Sequence, residues 1–183
     1  MKKHLIFIVV VMLMASVAFS LDFGEFSRNM DVVNKVDLNR YLGTWYEYAR
    51  TDVSFERGLI NTQANYSLLE PDRKGRTRIR VINSGEKNGK SRKAKGRAVI
   101  PFADEPARLK VSFFGPFYGD YNIIALDTEH YQWALVAGSS TKYLWILTRE
   151  KTLDPMVLES LKMHAERYGF DTDALIYPQT SNE

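Results

Sequence analysis

The chain has 183 residues, a formal net charge of +3, three His and no Cys. That length suits one domain with a sizeable core. The missing Cys excludes disulfide staples, thiol chemistry and lipid attachment through a cysteine.

Residues 1–20 open with Lys2 and Lys3, continue through an apolar stretch at 5–15 and close on Ala18-Phe19-Ser20. This order fits a cleaved secretory signal. An uncleaved anchor is the alternative, although the stretch is short for a membrane span. Removing Lys2 and Lys3 lowers the formal charge from +3 to +1 and leaves about 160 residues. The expected product is soluble, periplasmic or secreted, and not a lipoprotein. Residues 21–36 read as an irregular leader, 37–179 as the domain and 180–183 as a tail.

Strand signals fill the middle of the chain. Alternating or β-rich runs cover 45–50, 62–68, 76–83, 91–100, 109–114, 121–127, 131–137 and 143–149, with turn residues between them. Eight such runs in sequence predict an antiparallel up-and-down meander, and closure into a barrel removes its exposed edges. One helix follows: Asp154 caps it, Pro155 suits its first turn and Gly169 suits its end. Leu158, Leu161, Ala165 and Tyr168 give it one apolar face, suited to packing outside the barrel. Residues 175–177 predict a short terminal strand. The fold class is therefore all-β with one flanking helix.

Charge is concentrated in one place. Residues 72–97 hold eleven Lys or Arg against Asp72 and Glu86. Asn88-Gly89 marks a tight turn. A four-residue turn at 86–89 would oppose Ser84 to Ser91. It would put Ile79 and Val81 inside, facing Gly96 and Ala94, and Arg78 and Arg80 outside, facing Arg97 and Lys95. Like charges opposed in this way repel. The outer face is either a solvated surface or one that meets anionic lipid headgroups.

Gly43-Thr44-Trp45-Tyr46 and Trp145-Ile146-Leu147-Thr148-Arg149 bracket the predicted meander. Tyr41-Leu42-Gly43-Thr44-Trp45-Tyr46-Glu47, with Ser54-Phe55-Glu56-Arg57-Gly58, resembles the opening of the lipocalin family, in its bacterial, apolipoprotein D-like branch. Residues 109–119, 121–137 and 143–149 resemble later blocks of that family, so the likeness runs over 36–179. The departure is the missing Cys after the signal, which many bacterial members carry. The resemblance implies an eight-stranded lipocalin barrel with a C-terminal helix and a ligand cavity. It implies that Trp45, after Gly43, plugs the closed end with Arg149 stacked on it. It also implies that residues 51–60, 86–89, 115–120 and 138–142 rim the mouth.

On that frame, Phe55, Lys87, Lys90, Arg92, Phe117 and Tyr118 are rim residues. Strand alternation nominates Glu47, Ala49, Ala64, Tyr66, Ile79, Val81, Ala94, Leu109, Val111, Phe113, Tyr121, Ile123, Tyr131, Trp133, Leu135, Tyr143 and Trp145 for the interior. An inward Glu47 must be bonded, either to a phenol or backbone donor or to a ligand. The crowding of Phe113, Phe114, Phe117 and Tyr118 suits a lid, a membrane foot or a dimer contact.

Catalytic signals are poor. Gly138-Ser139-Ser140 lacks the nucleophile-elbow spacing. Residues 85–91 fall one short of a phosphate loop and precede no helix. His4, His130 and His164 lack metal-ligand spacing, and the thiol-dependent isomerase activity of one lipocalin branch needs a Cys. No cofactor, metal or nucleic acid is expected. The expected function is binding, storage or transport of a small hydrophobic or amphipathic ligand, a fatty acid or lysophospholipid, in the cell envelope. The expected state is a monomer or weak homodimer, with possible membrane-surface contact. The alternative is an enzyme or protein-interaction module on the same scaffold.

Overall fold

The computed structural model describes residues 23–178. The expected signal at 1–20 and tail at 180–183 lie outside the described residues. Eight antiparallel strands close into a barrel in sequence order. They are β1 Gly43–Arg50, β2 Ile60–Leu69, β3 Arg78–Lys87, β4 Lys90–Val99, β5 Arg108–Phe114, β6 Phe117–Leu126, β7 Trp133–Ala137 and β8 Leu144–Thr148. Short helices α1, Glu25–Arg28, and α2, Leu38–Tyr41, precede the barrel, and α3, Pro155–Glu166, follows it.

The leader is more ordered than its composition suggests. It crosses the outside of β5 and β6, and it is held there by polar groups. Arg108 donates to the carbonyls of Ser27 (2.5 Å) and Met30 (2.7 Å). The Ser27 hydroxyl donates to Asp120, which also pairs with Lys110 at 2.5 Å. Phe23 and Met30 are buried with it, but the segment forms no long helix or strand whose period would announce its docking.

α3 forms where its punctuation predicts. The Asp154 carboxylate accepts the amides of Met156 and Val157, which satisfies two orphan donors of the first turn. Leu161 and Ala165 are buried in a layer with Ala49, Ile124, Leu135 and Ile146. This outer layer lies between helix and barrel wall. The main core lies within the barrel and includes Trp45, Tyr66, Ile79, Leu109, Ile123 and Val136. Residues 175–177 make a single bridge, Ile176 with Arg50, rather than a strand.

The β3–β4 hairpin turns on Asn88-Gly89 alone, with φ of 53° and 67°. Positive φ at both central residues is what the tightest hairpin turn demands. The register is therefore Lys87 with Lys90, Val81 with Gly96 and Ile79 with Ala98, two residues from the predicted pairing. A two-residue slip conserves the faces. Arg80 opposes Arg97 on the outside. β4 pairs with β5 only over Arg97, Ala98 and Val99, so the hairpin projects beyond β5 and residues 90–95 are exposed.

Candidate ligand-binding cavity

The closed end is built by Trp45 and Arg149. Trp45 is fully buried, and its indole N–H donates to the Tyr41 carbonyl at 2.7 Å. The Arg149 guanidinium lies 3.8 Å from the centre of its ring. Arg149 also donates to the carbonyls of Arg40 (2.6 Å), Thr44 (2.7 Å) and Leu42 (2.9 Å). Gly43 has φ of +92°, a conformation costly for any residue with a Cβ. It lets the chain turn from α2 into β1 beneath the guanidinium.

Above this plug, three phenols join, and two of them, Tyr66 and Tyr121, line the cavity. The Tyr121 hydroxyl is 2.7 Å from that of Tyr41 and 3.1 Å from that of Tyr66. Burial holds all three phenol pKa values above the ordinary range, so they are neutral hydrogen-bonding groups. The cavity has an inner chamber of about 320 Å³, walled by Ala64, Tyr66, Val81, Val111, Tyr121, Trp145 and Leu147. It meets an outer chamber of about 730 Å³, walled by Phe55, Leu59, Lys87, Arg92, Lys93 and Phe114. Glu47, Phe55, Glu56, Asn83 and Phe113 line both.

A polar cluster stands where the chambers meet. Arg50 has no exposed surface, and its Nε is 3.6 Å from a carboxylate oxygen of both Glu47 and Glu56. Its terminal nitrogens donate to the carbonyls of Thr51 and Glu56. The Trp145 indole N–H donates to Glu56 at 3.2 Å. Burial, and then the neighbouring Glu56, push the Glu47 carboxyl up to about 8. Burial raises Glu56 as well. One guanidinium thus serves two carboxyl groups, and the upper one of the pair in pKa keeps its proton near neutrality.

The family profile of the lipocalin-like domain matches residues 36–180. The chain belongs to the lipocalin family. This lipocalin is 47% identical over 154 residues to the outer membrane lipoprotein Blc of Escherichia coli K12, covering 83% of this chain and 84% of that one. It is 34% identical over 161 residues to mouse apolipoprotein D, covering 82% and 80%. Among solved structures, insecticyanin from the tobacco hornworm Manduca sexta superposes with a TM-score of 0.63 at 22% identity, covering 84% and 86%. Lobster apocrustacyanin A1 gives 0.61 at 18% identity, covering 80% and 81%. The last two show likeness of fold.

Nine of the residues nominated for the lipocalin interior line the inner chamber: Glu47, Ala64, Tyr66, Val81, Val111, Phe113, Tyr121, Tyr143 and Trp145. Ile79, Leu109 and Ile123 are in the barrel core but line neither chamber. Ala49, Trp133 and Leu135 are corrections: they belong to the outer layer under α3. A bulge between Glu47 and Ala49 turns Ala49 outward and Arg50 inward. β7 is buried on both faces, so Trp-Ala-Leu-Val-Ala has no polar alternation to fix its facing. Tyr131 is also corrected. It sits in the β6–β7 turn at the closed end, where its hydroxyl accepts the Asp37 amide.

At the mouth, Phe55, Lys87 and Arg92 line the outer chamber, and so does Ala94. Lys90, at the hairpin tip, does not. Residues 115–120 are not a loop, because β6 starts at Phe117 and pairs Phe117 with Phe114. Phe117 is 66% exposed and walls neither chamber. Tyr118 is held on the barrel by Arg97, whose Nε donates to its hydroxyl at 2.9 Å. Arg50, Glu56, Asn83 and Tyr41 were not nominated. A bulge, a folded first loop and a preceding helix place Arg50, Glu56 and Tyr41 and leave no periodic signal, whereas Asn83 continues the inward alternation of Ile79 and Val81 on β3. Among the described residues, no group of three or more His, Cys, Asp or Glu is arranged to hold a metal.

Proposed function

We propose that the protein binds, stores or carries a small hydrophobic or amphipathic ligand, a fatty acid or a lysophospholipid, in the cell envelope. Lipocalins are generally binding and transport proteins rather than enzymes. The observation that carries the reading is the two-chamber cavity, apolar and aromatic within, with Lys87, Arg92 and Lys93 at its mouth. Its size is that of small-molecule sites. An apolar tail fills the inner chamber, and an anionic head meets the cations at the rim, where Coulomb attraction is incompletely screened. Phe55 and Phe114, 65% and 82% exposed beside those cations, suit contact with an anionic membrane surface during transfer.

The same reading includes a soluble periplasmic or secreted product. Its support is the order of residues 1–20 and the absence of the Cys needed for acylation. Among the described residues, no helix is long and apolar enough to cross a membrane. Organic extraction of the purified protein followed by mass spectrometry tests the ligand. A stoichiometric fatty acid or lysophospholipid is expected, and a protein that neither carries nor takes up any amphiphile contradicts the proposal. The intact mass of protein from the envelope tests the processing: a detergent-free species beginning at Leu21 is expected, and a membrane-bound species retaining residues 1–20 opposes it.

A further inference from the structure

The ionisable groups that line both chambers are of one kind. Glu47, Glu56 and Asn83 line both chambers, and Asp120 lines the inner one, which no Lys, Arg or His lines. The balancing cation, Arg50, is wholly buried. The Asn83 side-chain oxygen is buried without a hydrogen-bond partner. Two carboxyl groups and an amide oxygen therefore converge, beside the rings of Phe55, Tyr66 and Trp145. A hydrocarbon chain alone leaves the Asn83 oxygen dry and unanswered, which is unfavourable. A carboxylate or phosphate placed there meets two carboxyl groups. A protonated amine brings three N–H donors, a positive charge and an attraction for aromatic faces.

We propose that the junction of the two chambers is a subsite for the protonated amine of a lipophilic amine, received by Glu47, Glu56 and Asn83 while its alkyl chain occupies the inner chamber. This rests on the reading of the cavity as a ligand site. It is independent of the anionic head assigned to the rim, and an amphiphile bearing both groups satisfies both levels. The rim cations oppose an incoming amine weakly, because exposed charges are screened over about 8 Å in physiological salt.

The subsite has a pH signature. Glu47 faces Arg50 on its own strand, Glu56 from the first loop, and Thr62 and Tyr66 from β2. With its carboxyl held to about 8, it is mostly protonated at neutral pH, and an ammonium group displaces that proton. Binding of the amine therefore strengthens as pH rises through this range, by about tenfold between pH 7 and pH 9. The alkylamine itself stays charged there, since such amines titrate near ~10.4.

The test compares decylammonium, decanol and decanoate by calorimetric titration of the mature protein at pH 7 and pH 9, with wild type and Glu47→Gln. Glutamine mimics the protonated carboxyl that the wild type already carries, so the variant retains a neutral group at that position. The expected result is a preference for decylammonium over decanol that grows about tenfold from pH 7 to pH 9. In Glu47→Gln that growth disappears. Equal binding of decylammonium and decanol at both pH values overturns the proposal while leaving the cavity reading intact. So does a variant that keeps the full pH-dependent preference. If none of the three ligands binds, the cavity reading fails together with the subsite.

Discussion

The two ends of the barrel each contain a buried or half-buried arginine, and they treat it oppositely. At the closed end, Arg149 lies flat on Trp45 and donates to a ring of backbone carbonyls, with no carboxylate in its bonding set. At the open end, Arg50 is flanked by two carboxyl groups at 3.6 Å, and its Nε makes no hydrogen bond. The first arrangement satisfies nearly every donor and leaves nothing for a ligand to improve. The second leaves the Arg50 Nε and the Asn83 side-chain oxygen without hydrogen bonds, beside a cavity. With the proposed ligand site, stability and recognition fall at opposite ends of the same eight strands.

The largest effect should come from breaking the closed end. Trp45→Ala is expected to cost about 3–5 kcal/mol in urea denaturation, as for deletion of a core aromatic. Arg149→Ala should cost about 2–3 kcal/mol, through loss of the stack and of several charge-assisted bonds. A double-mutant cycle on the pair should show about 1 kcal/mol of coupling. Strict additivity would mean that the stacked geometry contributes nothing.

At the open end, the expected effect depends on pH. Below about 4.5, the Glu47 carboxyl binds its proton in both folded and unfolded chains. Between 4.5 and about 8, only the folded chain retains it, so stability falls as pH rises, by up to ~1.4 kcal/mol per unit. Above about 8, neither state holds the proton and the dependence ends. Glu47→Gln should flatten the urea midpoint across that window. An equally steep profile in the variant would show that Glu47 is not the titrating group.

The smallest effect should be at the rim. Changing Lys87, Arg92 and Lys93 to Gln should weaken decanoate binding a few-fold at low salt, and shift stability by no more than about 0.5 kcal/mol. Decanol binding should be unaffected. Equal losses for both ligands would show that these cations are a solvated surface with no part in recognition.

The two ends also differed in how far they could be read from the sequence. Gly43, Trp45 and Arg149 sit in motifs, and the structure joins them as the resemblance implied. The strand set and helix α3 were legible because alternation, Asn88-Gly89, Asp154 and Pro155 are local signals. The open end was only partly legible. Alternation from Trp45 leads to Ala49, but a bulge at residue 48 exchanges the roles of Ala49 and Arg50. Glu56 was visible as part of a motif, yet only the folded loop brings it 3.2 Å from the Trp145 indole. β7 was misfaced because a strand covered by a helix on one side and a core on the other has no polar face. Register slipped by two because the turn used two residues, not four.

The most direct test of this division of labour is a crystal structure of the protein with an alkanol carrying bromine at its tail end. An anomalous peak in the inner chamber, among Tyr66, Val81 and Tyr121, with the hydroxyl near Glu47 and Asn83, is the predicted result. A peak on the outer face, or at the closed end beside Trp45, would contradict the account.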